Sequence, residues 1–117
     1  MPLVLYGIPN CDTVRKARAW LGERGVPYRF HDFKKDGVPG ERLDAWIAQV
    51  GWEPLLNRRG TSWRKLDATL QEGARDAAGA KALMLAHPSV IKRPVVEWSA
   101  KTTVGFDAAQ WALLAGR

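Results

Sequence analysis

Cysteine, histidine and long apolar runs are scarce in this chain. Its 117 residues include one cysteine, Cys11, and two histidines, His31 and His87. A single cysteine excludes an internal disulfide and is typical of a reducing compartment, and two distant histidines cannot complete a structural zinc site with it. No apolar run approaches the roughly 20 residues of a membrane-spanning helix, and the first residues lack the pattern of a signal peptide. We therefore expect a cytoplasmic protein with no bound metal or cofactor and no membrane contact.

Acidic residues are also in the minority. The chain has 18 Lys and Arg against 12 Asp and Glu, which gives a net charge of +6. Such a balance suits a small anionic substrate or an acidic partner. No run of five basic residues and no nucleic-acid motif occurs, so direct binding of nucleic acid is not expected. The length predicts one domain over residues 1–117, and we expect a monomer.

The stretch around the cysteine is the most informative part of the sequence. The apolar run 3–6 predicts a buried strand, and a loop with Gly, Pro and Asn follows it. Cys11 comes next, directly before a helical pattern that begins with Asp12 and Thr13. Free N–H groups at a helix start stabilise negative charge, so this position favours the reactive thiolate. The alternative is a buried structural cysteine, because free cysteines are among the most buried residues.

Hydrophobic periodicity predicts the order of the remaining elements. The first helix should end near residue 23 or 24, before a strand at 28–33 that pairs in parallel with the first strand. Further helices are predicted over 43–50, from Thr61 or Ser62 through Leu70, and over 77–86. Strands at 95–98 and 102–106 indicate an antiparallel hairpin, and Asp107 should cap a last helix. The order predicts an α/β protein with a thioredoxin-like fold: a four-stranded mixed sheet with a helical insertion, about 40–88, between the second and third strands.

Three arginines are candidates for an anion site. In the thioredoxin topology a cis-proline usually precedes the third strand and faces the active cysteine, so we predict a cis bond at Arg93–Pro94. Arg93 would then turn towards the Cys11 loop and bind an oxyanion or a carboxylate. Without the fold, the same residue is an ordinary surface arginine. Arg58 or Arg59, in the polar loop 57–62, would complete the site, although two loop arginines taken alone are more often simply solvated.

The position three residues after Cys11 carries Val14 rather than a second cysteine. A Cys-x-x-Cys pair would resolve a mixed disulfide within the chain, and this protein cannot do so. Any redox cycle must therefore use an external thiol, for which we expect glutathione as co-substrate.

Three strings make the sequence similar to a known family: YGIPNCDT at 6–13, RGTSWRKL at 59–66 and IKRPV at 91–95. They resemble the arsenate reductase (ArsC)/Spx family, and within it the YffB-type branch, over nearly the whole chain. The resemblance implies a thioredoxin-like fold, a nucleophilic Cys11, and anion-binding arginines at Arg93 and Arg59.

The family contains both enzymes and regulators. In its arsenate reductases the cysteine attacks arsenate, glutathione takes up the arsenic adduct, and glutaredoxin reduces the resulting mixed disulfide. Those enzymes place a histidine where Gly7 stands and a further arginine where we align Phe106. The Spx regulators sense oxidation through a Cys-x-x-Cys pair and bind RNA polymerase, and Val14 removes that switch here.

Three hypotheses follow from the sequence. The first is a glutathione-dependent thiol oxidoreductase, with Cys11 as nucleophile, Arg93 and Arg59 binding an anion, and the backbone N–H groups of Asp12, Thr13 and Val14 sharing the thiolate charge. The second is a non-catalytic, Spx-like module on RNA polymerase. The third is a true arsenate reductase coupled to glutathione and glutaredoxin.

Overall fold

A four-stranded sheet organises one of the two units into which the chain divides. The computed structural model describes residues 3–116. The first unit contains the described residues up to Asp36 and those from Arg93 onward, and the second contains Gly37–Lys92. None of the helices within the described residues is long and apolar enough to cross a membrane. The expectation that residues 1–117 form one domain stays a prediction.

The sheet has the mixed topology that the sequence predicts. Its strands are β1 (Leu3–Gly7), β2 (Tyr28–Asp32), β3 (Val95–Glu97) and β4 (Thr102–Val104), in the spatial order β2-β1-β3-β4. β1 pairs in parallel with β2 and antiparallel with β3, and β3 pairs antiparallel with β4. The predicted fold class, α/β with a mixed four-stranded sheet, is confirmed.

Helices occupy most of the rest of the chain. In chain order the α-helices of the described residues are α1 (Asp12–Glu23), α2 (Phe33–Asp36), α3 (Gly40–Val50), α4 (Trp52–Leu55), α5 (Thr61–Arg64), α6 (Ala68–Gly73), α7 (Ala77–Ala86) and α8 (Ala108–Ala115), with a 3-10 turn at Pro88–Val90. The helices α3 to α7 therefore lie between β2 and β3 in the chain and belong to the second unit.

An aromatic cluster forms the core of the first unit. α1 contributes the buried residues Val14, Ala17, Trp20 and Leu21, whose spacing follows the helical repeat. Trp111 of α8 is fully buried, and its ring lies 5.9 Å from that of Trp20. The aromatic cluster consists of Trp20, Trp98, Phe106 and Trp111. Its rings pack edge to face on Trp111, an arrangement that adds to the stabilisation from buried area. This core fixes α1, and with it Cys11, against the sheet.

Apolar helix faces and acidic caps build the second unit. Leu43 and Trp46 of α3 are fully buried, as are Ala80 and Met84 of α7. The Asp76 side chain caps α7 by accepting a hydrogen bond from the Gly79 N–H at 2.8 Å. Such a cap satisfies a donor that has no partner inside the helix.

Several predicted boundaries are wrong, and side-chain caps explain the largest errors. The helix predicted from Thr61 or Ser62 through Leu70 is two helices, because the Asp67 side chain accepts from the Thr69 N–H at 2.8 Å and starts α6 afresh. β2 ends one residue early, since Asp32 accepts from the Lys34 N–H at 2.9 Å and opens α2. β3 and β4 are also shorter than predicted, ending at Glu97 and Val104.

Candidate functional site

Cys11 stands at the start of the longest helix described. It is the N-cap residue of α1, with extended backbone angles (φ −101°, ψ 127°), and its carbonyl accepts the Arg15 N–H at 2.9 Å. The side chain is half-buried and packs against the hydrophobic core of the first unit. The N–H groups of the first helical turn have no partner within the helix and are available to a negative charge beside them. Cys11 therefore combines partial access to solvent with a polar helix end.

The residues that follow Cys11 contribute through their backbone. Asp12 and Thr13 are exposed, whereas the Val14 side chain is fully buried. The Asp12 carboxylate forms an ion pair with the Arg15 guanidinium at 2.6 Å. This pair partly neutralises an acidic charge next to the thiol, although an exposed pair adds little stability. The predicted anion-binding role of residues 12 to 14 accordingly concerns their N–H groups.

The segment Arg93–Pro94 lies at the same end of the sheet as the loop that follows β1. Tyr6 pairs with Val95 across β1 and β3, so the chain leaves β1 where it enters β3. The Arg93–Pro94 peptide bond is cis, which confirms that prediction. Pro94 is buried, and its carbonyl accepts the Gly105 N–H at 2.8 Å, while Arg93 is half-buried. The predicted contact of Arg93 with an anion stays a prediction.

Arg59 belongs to the second unit, where it lines an open cavity. The cavity has a volume of about 350 Å³ and is lined by Glu53, Pro54, Leu56, Asn57, Arg58, Arg59 and Lys92. We call it the basic cavity, because three of these side chains are cationic and one is acidic. A volume of this size is within the range of small-molecule sites in proteins.

Backbone hydrogen bonds hold the two segments that line the basic cavity. The Lys92 N–H donates to the Leu55 carbonyl at 2.7 Å, and the Asn57 N–H donates to the Val90 carbonyl at 2.8 Å. Between them, Leu56 and Ile91 form an isolated antiparallel bridge. These contacts place Lys92 beside the loop that carries the arginines.

The two loop arginines have different surroundings. The Arg58 guanidinium carbon lies 5.5 Å from the Trp52 ring centre and 6.0 Å from that of Trp63, within cation–π range. The Arg59 side chain is exposed, and its carbonyl accepts from Arg64 Nη2 at 2.6 Å. This hydrogen bond from Arg64 fixes the backbone of Arg59. The Arg59 guanidinium takes no part in the bond and can therefore face the cavity.

Sequence reasoning missed part of this site. The sequence patterns assign no role to Lys92, Glu53 or Arg64. The position of Lys92 directly before Arg93 was a signal for it, but nothing local in the sequence indicates that Glu53 lines the same cavity. Within residues 3–116, no cluster of three His, Cys, Asp or Glu side chains could hold a metal ion.

A family model covers nearly the whole chain. Residues 6–114 match the model described as the ArsC family. The chain belongs to the ArsC family. This membership agrees with the strings at 6–13, 59–66 and 91–95 and with the fold described above.

Solved structures and a curated relative support the same family. The structure of a YFFB protein has 50% identity and a TM-score of 0.92, covering 97% of this chain and 98% of that one. An arsenate reductase (ArsC) related protein from Brucella melitensis also has 50% identity, with a TM-score of 0.75 and coverage of 97% and 93%. The global transcriptional regulator Spx of Enterococcus faecalis is 29% identical over 107 residues, covering 90% of this chain and 80% of the regulator.

Two departures from the patterns of related proteins, Gly7 from that of the arsenate reductases and Val14 from that of the Spx regulators, form one packing contact in this member of the ArsC family. A Cβ atom built on Gly7 would lie 2.8 Å from Val14 Cγ2, closer than carbon atoms approach. Val14 therefore fills the space that a side chain at position 7 would occupy. The third departure, Phe106, packs 4.8 Å from the Trp111 ring within the aromatic cluster.

Proposed function

We propose that this protein is a glutathione-dependent thiol oxidoreductase that uses Cys11 as its nucleophile. The observation that carries the proposal is the placement of Cys11 as the half-exposed N-cap of a 12-residue helix, at the sheet end where Arg93–Pro94 enters β3. Membership of the ArsC family supports a thiol-based role, and Val14 excludes a second thiol at the usual resolving position.

The proposed reaction is the reduction of a mixed disulfide between glutathione and another thiol. The Cys11 thiolate attacks the glutathionyl sulfur, the substrate S–S bond breaks, and the substrate leaves as a thiolate that takes a proton from water. A second glutathione thiolate then attacks the Cys11–glutathione disulfide, which releases oxidised glutathione and restores Cys11. Each step exchanges one S–S bond for another, so the electrons balance.

Charged groups would hold the reactants in this scheme. The N–H groups of residues 12 to 14 share the charge of the thiolate, because they lack helical partners. We assign Arg93 and Arg59 to an anion, either an oxyanion or a carboxylate of glutathione, since guanidinium groups bind such anions with two parallel hydrogen bonds. Glutaredoxin would be an alternative source of the second thiol.

Intact mass spectrometry tests the proposal. Reduced protein treated with oxidised glutathione should gain the mass of one glutathione, and Cys11→Ser should gain none. Arg93→Met should form the adduct more slowly, while Arg75→Met, at an exposed position outside the cavity and the Cys11 loop, should match the parent protein. The absence of an adduct, or an equal adduct on Cys11→Ser, would refute the assignment.

Arsenate is a weaker candidate substrate. Val14 occupies the space beside Gly7, so a histidine at that position would not fit without repacking. Phe106 belongs to the aromatic cluster and supplies no charge where the arsenate reductases carry a further arginine. An assay of arsenate reduction coupled to glutathione and glutaredoxin should accordingly give no turnover.

The similarity to Spx favours a second candidate function. The Enterococcus faecalis regulator matches 90% of this chain, so a surface shared with it would suit a non-catalytic module that binds RNA polymerase. Recovery of RNA polymerase with tagged Cys11→Ser protein would favour this function, because the enzyme hypothesis requires the thiol. Failure to recover RNA polymerase would contradict this second function and leave the oxidoreductase as the proposed function.

A further inference from the structure

The strand β2 leaves one side of the sheet open. In the order β2-β1-β3-β4 it is an outer strand, and within residues 3–116 no backbone hydrogen bond joins Tyr28, Arg29 or Phe30 to a segment other than β1. Its five residues pair with β1 in an unbroken register and include no proline, so neither a bulge nor a missing donor interrupts the strand. An outer strand of this kind can take up a further strand through its outward N–H and C=O groups.

Arginines lie on both faces of β2. On the face that packs against α1, the Arg18 guanidinium carbon is 4.1 Å from the Phe30 ring centre, and Arg18 Nε donates to the Tyr28 hydroxyl at 3.0 Å. Because side chains alternate along a strand, Arg29 lies on the opposite face, where it is exposed. Neither arginine forms an ion pair with an acidic side chain in the part of the chain that the structure describes.

The charge around β2 determines which chain could pair with it. Residues 24–35, which contain the strand, carry four Lys or Arg side chains and one acidic side chain, Asp32. Asp32 already accepts the Lys34 N–H at 2.9 Å. A second copy of this chain is a poor occupant, because pairing β2 with β2 would bring arginines of like charge together. An extended segment with acidic side chains instead offers the opposite charge on both faces.

We propose that the outer side of β2 binds an extended, acidic segment of a partner protein, which adds to the sheet as a fifth strand. The segment pairs with the outward backbone groups of β2, and its carboxylates, which alternate between the two faces, bind Arg18 and Arg29. The Arg18 guanidinium is already held over the Phe30 ring, so it loses little freedom on binding. The inference goes beyond the proposed function and does not depend on the thiol of Cys11.

A synthetic peptide tests the requirement for charge. The probe is a fluorescein-labelled Val-Glu-Glu-Val-Glu-Glu-Val peptide, which places glutamates on both faces of an added strand, and fluorescence anisotropy measures its binding at low salt. Arg29→Met should weaken binding about threefold, the effect of one exposed ion pair, and Arg29→Glu about tenfold, because it adds repulsion. Arg75→Met is the matched control, since it removes the same charge from an exposed residue of the second unit. Equal weakening by Arg75→Met, or no binding to the parent protein, would overturn the inference.

Modified peptides test the requirement for backbone pairing. N-methylation of the three central residues of the peptide removes N–H donors on both of its edges and leaves its charges unchanged, so it should abolish measurable binding. Replacing every glutamate of the peptide by glutamine should also abolish binding. If the methylated peptide binds as tightly as the original, the association is electrostatic alone and the added strand is wrong. If the glutamine peptide binds as tightly, the arginines do not select the partner.

Amide hydrogen exchange measured by NMR locates the bound peptide. Binding should slow the exchange of outward amides within 28–32, and Cys11→Ser protein should show the same protection, because the thiol takes no part. Protection confined to another surface would overturn the inference. Arg18→Met should weaken binding about threefold, whereas Arg18→Lys, which keeps the charge, should weaken it less. Arg18 is half-buried, so circular dichroism checks the folding of its variants, and the exposed Arg29 decides the outcome if they unfold.

Discussion

At the scale of single residues, the contact between Gly7 and Val14 links two positions that depart from the patterns of the arsenate reductases and the Spx regulators. The Gly7 backbone does not have the left-handed conformation that requires glycine, so any strain from a side chain there comes from packing alone. The nearest atom is Cγ2 of Val14, a branched side chain that is fully buried and has little freedom to move. A residue larger than glycine at position 7 therefore requires a smaller one at position 14.

A double-mutant cycle tests this coupling. Gly7→Ala alone should lower the free energy of unfolding by about 1–3 kcal/mol, the usual cost of overpacking a core. In a Val14→Ala background, which removes both Cγ atoms, the same substitution should cost less than about 0.5 kcal/mol. Urea denaturation measures all four proteins. Additive losses would mean that the two side chains do not compete for the same space.

Thr103 provides a second residue-scale prediction. Its hydroxyl accepts the Trp98 indole N–H at 2.9 Å, and both residues are buried. Thr103→Val keeps the shape but leaves the indole N–H without a partner, which should cost about 1–3 kcal/mol. Thr103→Ser, which retains the hydroxyl, should lose less of the free energy of unfolding in thermal denaturation. A Val variant as stable as the Ser variant would contradict the role of this hydrogen bond.

The sequence predicts single residues well where local chemistry determines them. The placement of Cys11 before a helix, the cap by Asp107 and the cis bond at Arg93–Pro94 all follow from local signals or from a position in the topology. The basic cavity does not, because Glu53 and Lys92 are far apart in the sequence and come together through backbone pairing between their segments.

At the scale of helices and strands, the approach of α6 to α7 depends on one glycine. A Cβ atom on Gly79, in the first turn of α7, would collide with the backbone carbonyl oxygen of Gly73 at the end of α6. Backbone cannot move aside as a flexible side chain can. Gly79 also donates its N–H to the Asp76 cap, so a shift of this turn would break the cap as well.

Gly79→Ala should therefore be strongly destabilising. We expect a loss of about 3 kcal/mol or more in the free energy of unfolding, measured by urea denaturation. Gly73→Ala is the matched control, because a Cβ atom there meets nothing within 4 Å, and it should be neutral or stabilising by up to about 1 kcal/mol. Equal effects of the two substitutions would show that helix propensity rather than close approach dominates.

The ends of the helices show what hydrophobic periodicity alone does not predict. The apolar residues Trp63, Leu66 and Leu70 suit one helix, yet Asp67 between them caps a new one. Aspartate inside a helical pattern can cap a new helix or face solvent, and the pattern alone does not decide between them. In contrast, α7 begins and ends at the predicted residues, because Asp76 and Pro88 flank it on both sides.

At the scale of the whole molecule, the direction in which consecutive strands pair was predictable because the connections between them are short. A short strand–helix–strand connection requires parallel pairing, and a three-residue turn requires an antiparallel hairpin. The division into two units was not predicted, since both units are built from ordinary amphipathic elements without a linker between them.

Net charge leads to a prediction for the intact protein. With a charge of +6, the chain should attract anionic oxidised glutathione, and salt should screen this attraction. Raising the salt concentration from roughly 10 mM to 1 M shortens the screening length from about 30 to 3 Å. The rate of adduct formation at Cys11 should fall several-fold over this range, as followed by mass spectrometry.

An uncharged disulfide separates attraction from intrinsic reactivity. The rate with 2-hydroxyethyl disulfide should change little with salt, because this reagent offers no charge to the arginines or to Lys92. Lys92→Met should flatten the salt dependence with oxidised glutathione and leave the rate with the neutral reagent unchanged. An equal fall for both disulfides would instead place the effect of salt on the thiol of Cys11, and the basic residues would then have no part in selecting the substrate.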